Sequence, residues 1–373
     1  MTSFLKKHSA FVLLYLSVSF FGGLFYFLRP SPLMVLEKNL YDLRFSFVHR
    51  PPAEEVVVVA VDEKSIDKMG RWPWPRKEIK KLLEKILSFE PAVVGLDIVF
   101  SEASTPEEDS ELAELIESAG NVVTGFFFRK DSSGEAPQEE SLKALRTARI
   151  KFIKGNPTGI PVFTHVEVNI PEIQAASFQS GFFNFFPDPD GLYRRLYLLA
   201  RYRDDVYPCL ALSVLQAYYD EDAMVEFDPF GVSRFSLAER FVPAEMDSSI
   251  SLNFYGPKGG FRYISASDVL EAQALDLKDR IVLVGVTELG LADLRPTPVD
   301  ATLPGVALHA TFISNFLKGD FIVRPTWAVI VELAFIFIPP FIIIFLSRHR
   351  GLYLWMGFGL LVLSSETLNI FLF

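Results

Sequence analysis

The chain has 373 residues, of which 50% are hydrophobic, and a formal net charge of −10 at pH 7. The hydrophobic content and a mean hydropathy of +0.26 are high for a purely soluble protein, so membrane-spanning segments are expected. The acidic balance argues against nucleic acid as a partner, because nucleic acids bind basic patches. The single cysteine, Cys209, excludes an intrachain disulfide.

Three long apolar segments are predicted to cross a membrane. Residues 11–28 contain no charge and match the length of one bilayer crossing, and residues 327–346 and 351–373 form two further candidates. A cleaved signal peptide is the alternative for the first segment, although no A-x-A-like cleavage site follows it.

The charges around these segments predict the orientation of the chain. Lysine and arginine residues occur in segments 1–10 and 347–350, which the positive-inside rule places in the cytoplasm. Residues 29–325 are then expected to form one extracytoplasmic domain of a multi-pass protein in the cell (inner) membrane.

The first half of this outer segment alternates strand and helix patterns. Its predicted elements are, in chain order, a buried strand at Val56–Val61, an amphipathic helix at 76–89, a buried strand at 92–100, a helix that starts at Thr105, and a strand at 121–128. This order predicts an α/β fold with a mainly parallel sheet flanked by helices.

The middle of the outer segment has a different pattern. Residues 130–148 are polar and predict an insertion or an exposed loop. The strand-like stretches 182–186 and 192–202 are separated by the turn residues 187–191, which predicts an antiparallel hairpin insertion.

A buried helix is predicted at 208–219. The last third then alternates strands and helices again, with a strand at 250–254, a helix at 265–272, a strand at 281–286 and a helix at 304–318.

Three acids follow predicted strands and are candidate ligand-binding residues. Asp62 and Asp97 end the first two strands, and Asp293 lies in the loop after the strand at 281–286. Ligands of open α/β sheets bind at the carboxyl ends of the strands, so the three acids could line one ligand-binding cleft together with Arg76 and His309. Carboxylates could also hold a divalent cation there, and no other cofactor is expected.

Each candidate also has a structural interpretation. Acids at strand ends often cap the following turn, and a lone histidine on an apolar helix face is more often a core residue than a catalyst. The sequence favours the core interpretation for His309. It also favours the structural interpretation for the acids, with a shared site as the alternative.

Two further groups are interpreted as structural. Trp72, Trp74 and Pro75 precede the helix at 76–89 and are expected to brace it against the sheet. A second group lies in and after the turn at 187–191 and is expected to form salt bridges: Asp188, Asp190, Arg194 and Arg195. A calcium loop is disfavoured in this turn, because Leu199 stands where the bidentate glutamate of an EF-hand would fall.

The outer segment resembles the second type of the cyclases/histidine kinases associated sensory extracellular domain, CHASE2. The resemblance covers about residues 37–325 and is carried by motifs spread along the chain: Gly70 to Arg76 (GRWPWPR), Gly95 to Phe100 (GLDIVF), Gly181 to Asn184 (GFFN), Asp188 to Gly191 (DPDG) followed by Arg194-Arg195, and Pro304-Gly305-Val306 with His309-Ala310.

The resemblance implies a sensory domain with one span before it, several spans after it and then a cytoplasmic output module. Only two predicted spans follow the domain here, and the chain ends at Phe373 without an output module. We therefore expect a truncated chain whose continuation reaches such a module, with a stand-alone protein as the alternative. The resemblance implies no catalytic residues.

The leading hypothesis is an extracytoplasmic sensory input module that regulates a nucleotide (adenylate) cyclase, acts as a homodimer and binds an unknown extracytoplasmic ligand. The alternatives are the input module of a histidine or serine/threonine kinase, a metal-dependent enzyme that uses Asp62, Asp97 and Asp293, and a scaffold that mediates oligomerisation.

Overall fold

The computed structural model describes residues 50–129, 136–256, 260–288, 294–323 and 327–346, together with parts of 13–28 and 38–45, while the side chains of 335 and 339–346 are left out. The chain divides into one compact unit at Val48–Phe321 and another made of Met1–Phe47 and Ile322–Phe373.

The strands of the described chain, numbered in chain order, are β1 (Val56–Val61), β2 (Val93–Leu96), β3 (Val122–Arg129), β4 (Phe152–Lys154), β5 (Val162–Phe163), β6 (His165–Glu167), β7 (Gln179–Phe182), β8 (Arg195–Tyr197), β9 (Leu199–Tyr202), β10 (Asp205–Pro208), β11 (Met224–Asp228), β12 (Gly231–Leu237), β13 (Arg240–Phe241), β14 (Ser249–Ser251), β15 (Arg262–Ser265), β16 (Ile281–Val286), β17 (Leu294–Arg295) and β18 (Leu303–Pro304).

The named helices are α1 (Glu63–Met69), α2 (Arg76–Leu87), α3 (Pro106–Ala119), α4 (Glu139–Leu145), α5 (Pro171–Ala176), α6 (Leu210–Tyr219), α7 (Ala266–Glu271), α8 (Gly305–Lys318) and α9 (Ala328–Leu346).

The largest sheet confirms the predicted mainly parallel α/β architecture. Its strand order is β15-β1-β16-β2-β3-β6, and β7 also pairs with β3. All of its pairs are parallel except β3 with β6. The strand β16 lies between β1 and β2, so the last third of the chain returns to the centre of the sheet.

One face of this sheet is covered by α2, α3 and α7. The helix α2 turns its spaced apolar residues Ile79, Leu82, Leu83 and Ile86 toward the strands, and all four are buried. Burying a side chain of this kind stabilises a fold by roughly 1.5–3 kcal/mol, so the amphipathic pattern in the sequence is sufficient to fix this helix on the sheet.

The opposite face is covered by α6 and α8, and two glycines let these helices approach. A Cβ atom at Gly95 would lie 2.7 Å from Val214 of α6, and one at Gly285 would lie 2.7 Å from Val306 of α8. Successive side chains of a strand alternate between faces. Asp97, two residues beyond Gly95, is therefore directed toward the α6 and α8 face.

The predicted hairpin between 182–186 and 192–202 is wrong. The strand β7 pairs in parallel with β3, whereas β8 pairs with β14 and β9 pairs with β10. The turn itself forms, because Asp188 N–H donates to Leu192 O at 2.9 Å. Antiparallel hairpins do occur, at β9–β10 and β11–β12.

The predicted loop at 130–148 is partly wrong. Residues 130–135 lie outside the described chain, and α4 occupies Glu139–Leu145. Leu142 and Leu145 are buried, so this short helix packs on the domain through one apolar edge.

The second unit contains α9 and helical residues within 13–28. Within it, the Tyr26 hydroxyl donates to Glu332 at 2.8 Å. No helix among the described residues is both long and apolar enough to cross a membrane. The predicted segment 351–373 lies outside the described residues. All three membrane spans remain predictions.

Candidate functional site

Asp62 and Asp97 follow the carboxyl ends of β1 and β2, but the structure gives the two acids different surroundings. Asp62 is the N-cap of α1 and accepts from Ser65 N–H at 3.0 Å and from the Ser65 hydroxyl at 2.7 Å. The Ser265 hydroxyl at the end of β15 also donates to it. Burial raises the pKa of Asp62, but the hydrogen bonds from Ser265 and Ser65 outweigh burial and leave this pKa below its usual value. Asp62 therefore joins β1, α1 and β15.

Arg76 has a bracing role as well. Its Nε donates to Asp109 at 3.1 Å, and its Nη2 donates to Glu102 O at 2.6 Å. The guanidinium carbon lies 4.7 Å from the centre of the Phe100 ring. Arg76 thus ties the start of α2 to α3 and to the segment after β2, in agreement with the side chain being only 15% exposed.

Trp72, Trp74 and Pro75 lie between Asp62 and Arg76 in the sequence. Trp74 is buried, its Nε1 donates to Gly70 O at 2.8 Å, and its ring meets Trp72 edge to face at 5.4 Å between centroids. Pro75 is the N-cap residue of α2. These contacts agree with the predicted brace.

Asp97 is different, since no described residue hydrogen-bonds to its carboxyl group. Its backbone N–H continues the sheet and donates to Val284 O of β16 at 2.9 Å. Burial raises the pKa of Asp97 to about 7, and the positive charge of Arg295 limits the rise. Burial therefore disfavours the ionised form of Asp97.

Arg295 is a site residue that sequence reasoning missed. It lies on β17 and donates from Nη1 to the Tyr193 hydroxyl at 2.8 Å. Its guanidinium lies 4.9 Å from the centre of the Tyr193 ring and 5.5 Å from that of Phe185. The aromatic rings hold the cation by cation–π contact, so it is fixed where its field acts on Asp97.

His309 completes the arrangement from α8. It is fully buried, its ring centre lies 4.7 Å from that of Phe185, and among the described residues neither ring nitrogen has a hydrogen-bond partner. Burial and, as the smaller cause, the positive charge of Arg295 together lower the pKa of His309 to about 3. His309 is therefore neutral at physiological pH.

Arg295 and His309 both contact the Phe185 ring, with the guanidinium carbon 5.5 Å and the imidazole centre 4.7 Å from its centre. The charge of Arg295 also lowers the pKa of Asp97, against the larger effect of burial. We call Asp97, Arg295 and His309 the Asp97 cluster. The signal that could have identified Arg295 in the sequence is its position two residues after Asp293. Asp293 itself lies outside the described residues.

The predicted cation site gains no support within the described chain, where no group of three His, Cys, Asp or Glu residues is placed to hold a metal ion. Asp62 and Arg76 are committed to separate partners, on α1 and β15 for the first and on α3 for the second.

The turn residues form the predicted salt bridges. Arg194 is 5% exposed and lies 2.9 Å from both Asp188 and Asp190, whereas the more exposed Arg195 lies 4.0 Å from Asp188. Arg194 therefore anchors the turn from inside.

Comparison with known proteins agrees with this arrangement of motifs. The family model of the CHASE2 domain matches residues 14–348. No curated protein and no solved structure matches the chain significantly. The family match covers most of the chain, so the chain belongs to the CHASE2 domain family, the extracellular sensory domains of cyclase and kinase receptors.

Proposed function

We propose that the chain is the extracytoplasmic input module of a homodimeric, multi-pass membrane receptor that regulates an adenylate cyclase. The observation that supports this most is the CHASE2 match over 14–348, because this range includes the sensory domain and two of the apolar segments predicted to anchor it. A sensor of this type changes its output when a ligand binds two domain arrangements with different affinity.

The helix α8 is the element suited to carry such a change. Its first turns include His309 of the Asp97 cluster, and its last turns are bonded to the segment where the chain enters the domain. Ala53 N–H donates to the Ser314 hydroxyl at 2.7 Å, and Lys318 Nζ donates to Pro51 O. Movement of α8 would therefore act on the start and the end of the domain together.

A polar network reinforces the contacts at the C-terminal end of α8. Asn315 Nδ2 donates to the Tyr255 hydroxyl at 2.8 Å, and that hydroxyl donates to Asp320 at 2.8 Å. Asp320 follows α8 directly after its terminal glycine, in the segment that leads to the predicted second span. A buried network of this kind favours one arrangement of the helix end over its alternatives.

The proposed orientation predicts how a surface cysteine reacts. Lys154 is 80% exposed and pairs only weakly with Glu226, so Lys154→Cys should leave the fold intact. In intact cells, a membrane-impermeant maleimide should label the Lys154→Cys protein. The native Cys209 should not react, because it is buried and burial raises its thiol pKa to about 12.

The matched control is Ser3→Cys, in the segment expected in the cytoplasm. We expect this variant to react only after the cells are made permeable. Labelling of the Ser3→Cys variant in intact cells, with Lys154→Cys protected until permeabilisation, would reject the proposed orientation.

A further inference from the structure

The outer face of the four-stranded sheet β13-β12-β11-β4 carries apolar side chains where polar ones are expected. Sheets of this largely antiparallel kind bury one face and expose the other to water, so the exposed face is normally polar. The inner face is buried, as at Val225 and Phe235. On the outer face, however, Phe152 is 55% exposed, Met224 57% and Phe241 62%. Exposed apolar residues that lie together indicate an interaction surface, whereas single ones do not.

The pairing register places these three side chains in one row across the sheet. Met224 of β11 is opposite Phe152 of β4 on one side and opposite Ser236 of β12 on the other. Ser236 is in turn opposite Phe241 of β13. Side chains that are opposite one another on neighbouring strands lie on the same face of a sheet. We call Phe152, Met224, Ser236 and Phe241 the apolar row.

A row of charged side chains runs beside the apolar row. Lys154, Glu226 and Arg234 are opposite one another on β4, β11 and β12, two residues along each strand from the apolar row. Lys154 Nζ lies 3.4 Å from the Glu226 carboxylate. Arg234 is exposed and makes no ion pair within the described part of the chain. The charge therefore alternates across the sheet as positive, negative and positive.

The apolar row is self-complementary about a twofold axis that lies between β11 and β12, parallel to the strands. In a symmetric dimer, a residue that contacts a second residue is contacted by the same pair in reverse. A second copy turned about this axis and laid face to face brings Phe152 opposite Phe241 of that copy, and Met224 opposite its Ser236. Sheets that pack face to face keep their strands roughly aligned, so whole rows can meet.

The charged row selects this axis over its neighbours. The axis places Glu226 of each copy opposite Arg234 of the other, which gives two intermolecular ion pairs of correct sign. An axis centred on β11 would instead bring Glu226 opposite itself and Lys154 opposite Arg234, which is repulsive. Lys154 has no counterpart across the chosen axis, because β13 ends at Phe241. It stays at the rim of the contact, where a labelling reagent reaches it.

We propose that this sheet face is the contact surface for a second copy of the chain, formed by the apolar row and by the pairs between Glu226 and Arg234. The inference rests on the homodimeric receptor proposed above and names the surface at which its two domains meet. Four strands spaced about 4.8 Å apart make a narrow face. Such a contact suits copies that are already held in one membrane, because tethering raises their effective concentration.

The contact surface is joined directly to α8. Arg240, next to Phe241 on β13, donates from Nη1 to Phe316 O at 3.0 Å and to Leu317 O at 2.9 Å. These carbonyl groups belong to the last turn of α8, where a cation stabilises the end of a helix. A second copy that closes on Phe241 therefore acts one residue away from the group that holds the end of α8.

Position-specific cross-linking of two differently tagged full-length copies tests the surface. One copy carries Phe152→Cys and the other Phe241→Cys, and a short bismaleimide is added to permeable membranes that contain both. We expect a cross-linked heterodimer, in which the other half of the apolar row is intact. Two Glu117→Cys copies are the control, since Glu117 is exposed on α3, away from this sheet, and should give little product. The native Cys209 is buried.

Charge reversal separates contact between copies from an effect on folding. Glu226→Arg, added to both cysteine copies, places like charges opposite one another in the dimer, and Arg234→Glu does the same. Each reversal alone should lower the cross-linked fraction about tenfold. Cross-linking should recover when one copy carries Glu226→Arg and the other Arg234→Glu, because opposite charges then meet at both positions. The charges within each copy are unchanged by mixing, so the recovery cannot come from folding.

The surface is rejected if Phe152→Cys and Phe241→Cys cross-link no better than the Glu117→Cys control, or if the mixed reversals cross-link no better than either alone. A Phe241→Cys product with a different protein, without the heterodimer, would also reject a second copy as the occupant. The labelling of Lys154→Cys does not depend on this contact. External labelling without cross-linking rejects only the surface, and cross-linking without external labelling rejects only the proposed orientation.

Discussion

Replacing Trp74 by alanine should lower the free energy of unfolding by about 3–5 kcal/mol, the usual cost of removing a large buried aromatic side chain. Trp74 is 3% exposed and belongs to the core between α2 and the sheet. The substitution leaves a cavity and also removes the hydrogen bond from the indole Nε1 to Gly70 O. Denaturant unfolding of the full chain measures the loss.

Two matched variants test whether burial is the cause. Trp74→Phe keeps most of the apolar contact and should cost less than Trp74→Ala. Trp72→Ala removes the partly exposed neighbour of Trp74 and should also cost less, since part of its surface already faces water. A Trp74→Ala variant that is no less stable than Trp72→Ala would contradict the role assigned to Trp74 as the centre of the brace.

Replacing Arg194 by alanine should cost about 3 kcal/mol, at the lower end of the range for breaking a buried ion pair by removal of one partner. The Arg194 side chain is 5% exposed, and its loss leaves the carboxylates of Asp188 and Asp190 without their buried cation. The lower end is expected because Asp190 is 35% exposed and is partly stabilised by water. The unfolding free energy at neutral pH is the measurement.

Arg195→Ala is the natural comparison for Arg194→Ala. Arg195 is 45% exposed and lies 4.0 Å from Asp188, so its removal should change stability by less than about 1 kcal/mol. Equal losses in the two variants would show that burial does not set the strength of these ion pairs.

The central strands could be predicted from the sequence because their information is local. The β-branched runs that become β1 and β16 have the predicted bounds, and α2 and α3 start where the apolar spacing and the Thr105 cap indicated. The edge strand β15 was missed, since a strand of four residues shows no periodicity and its pairing with β1 is remote in sequence. The wrong prediction of a hairpin between 182–186 and 192–202 also arises because strand pairing here is remote in sequence. The turn at 187–191 is a local feature, but β7 gains its partner β3 from the tertiary fold.

The candidate site could be predicted in part. Asp97 and His309 were named as candidates, from a strand end and from a helix face, and the full burial of His309 agrees with the core interpretation that the sequence favoured. Asp62 and Arg76 were placed correctly on their elements. Their distant partners, Ser265 and Asp109, give them bracing contacts that no local pattern reveals. Arg295 escaped notice because β17 has only two residues and its role arises from rings elsewhere in the chain.

The central claim is the proposal that this CHASE2 domain regulates a cyclase and that α8 carries the signal. The direct measurement is cyclic AMP production by cells that carry the full chain joined to an adenylate cyclase catalytic domain. We predict that Ser314→Ala, which removes the hydrogen bond between α8 and Ala53 N–H, changes this output at equal protein level, whereas the exposed Lys154→Cys does not. Equal output from Ser314→Ala and wild type would contradict the claim.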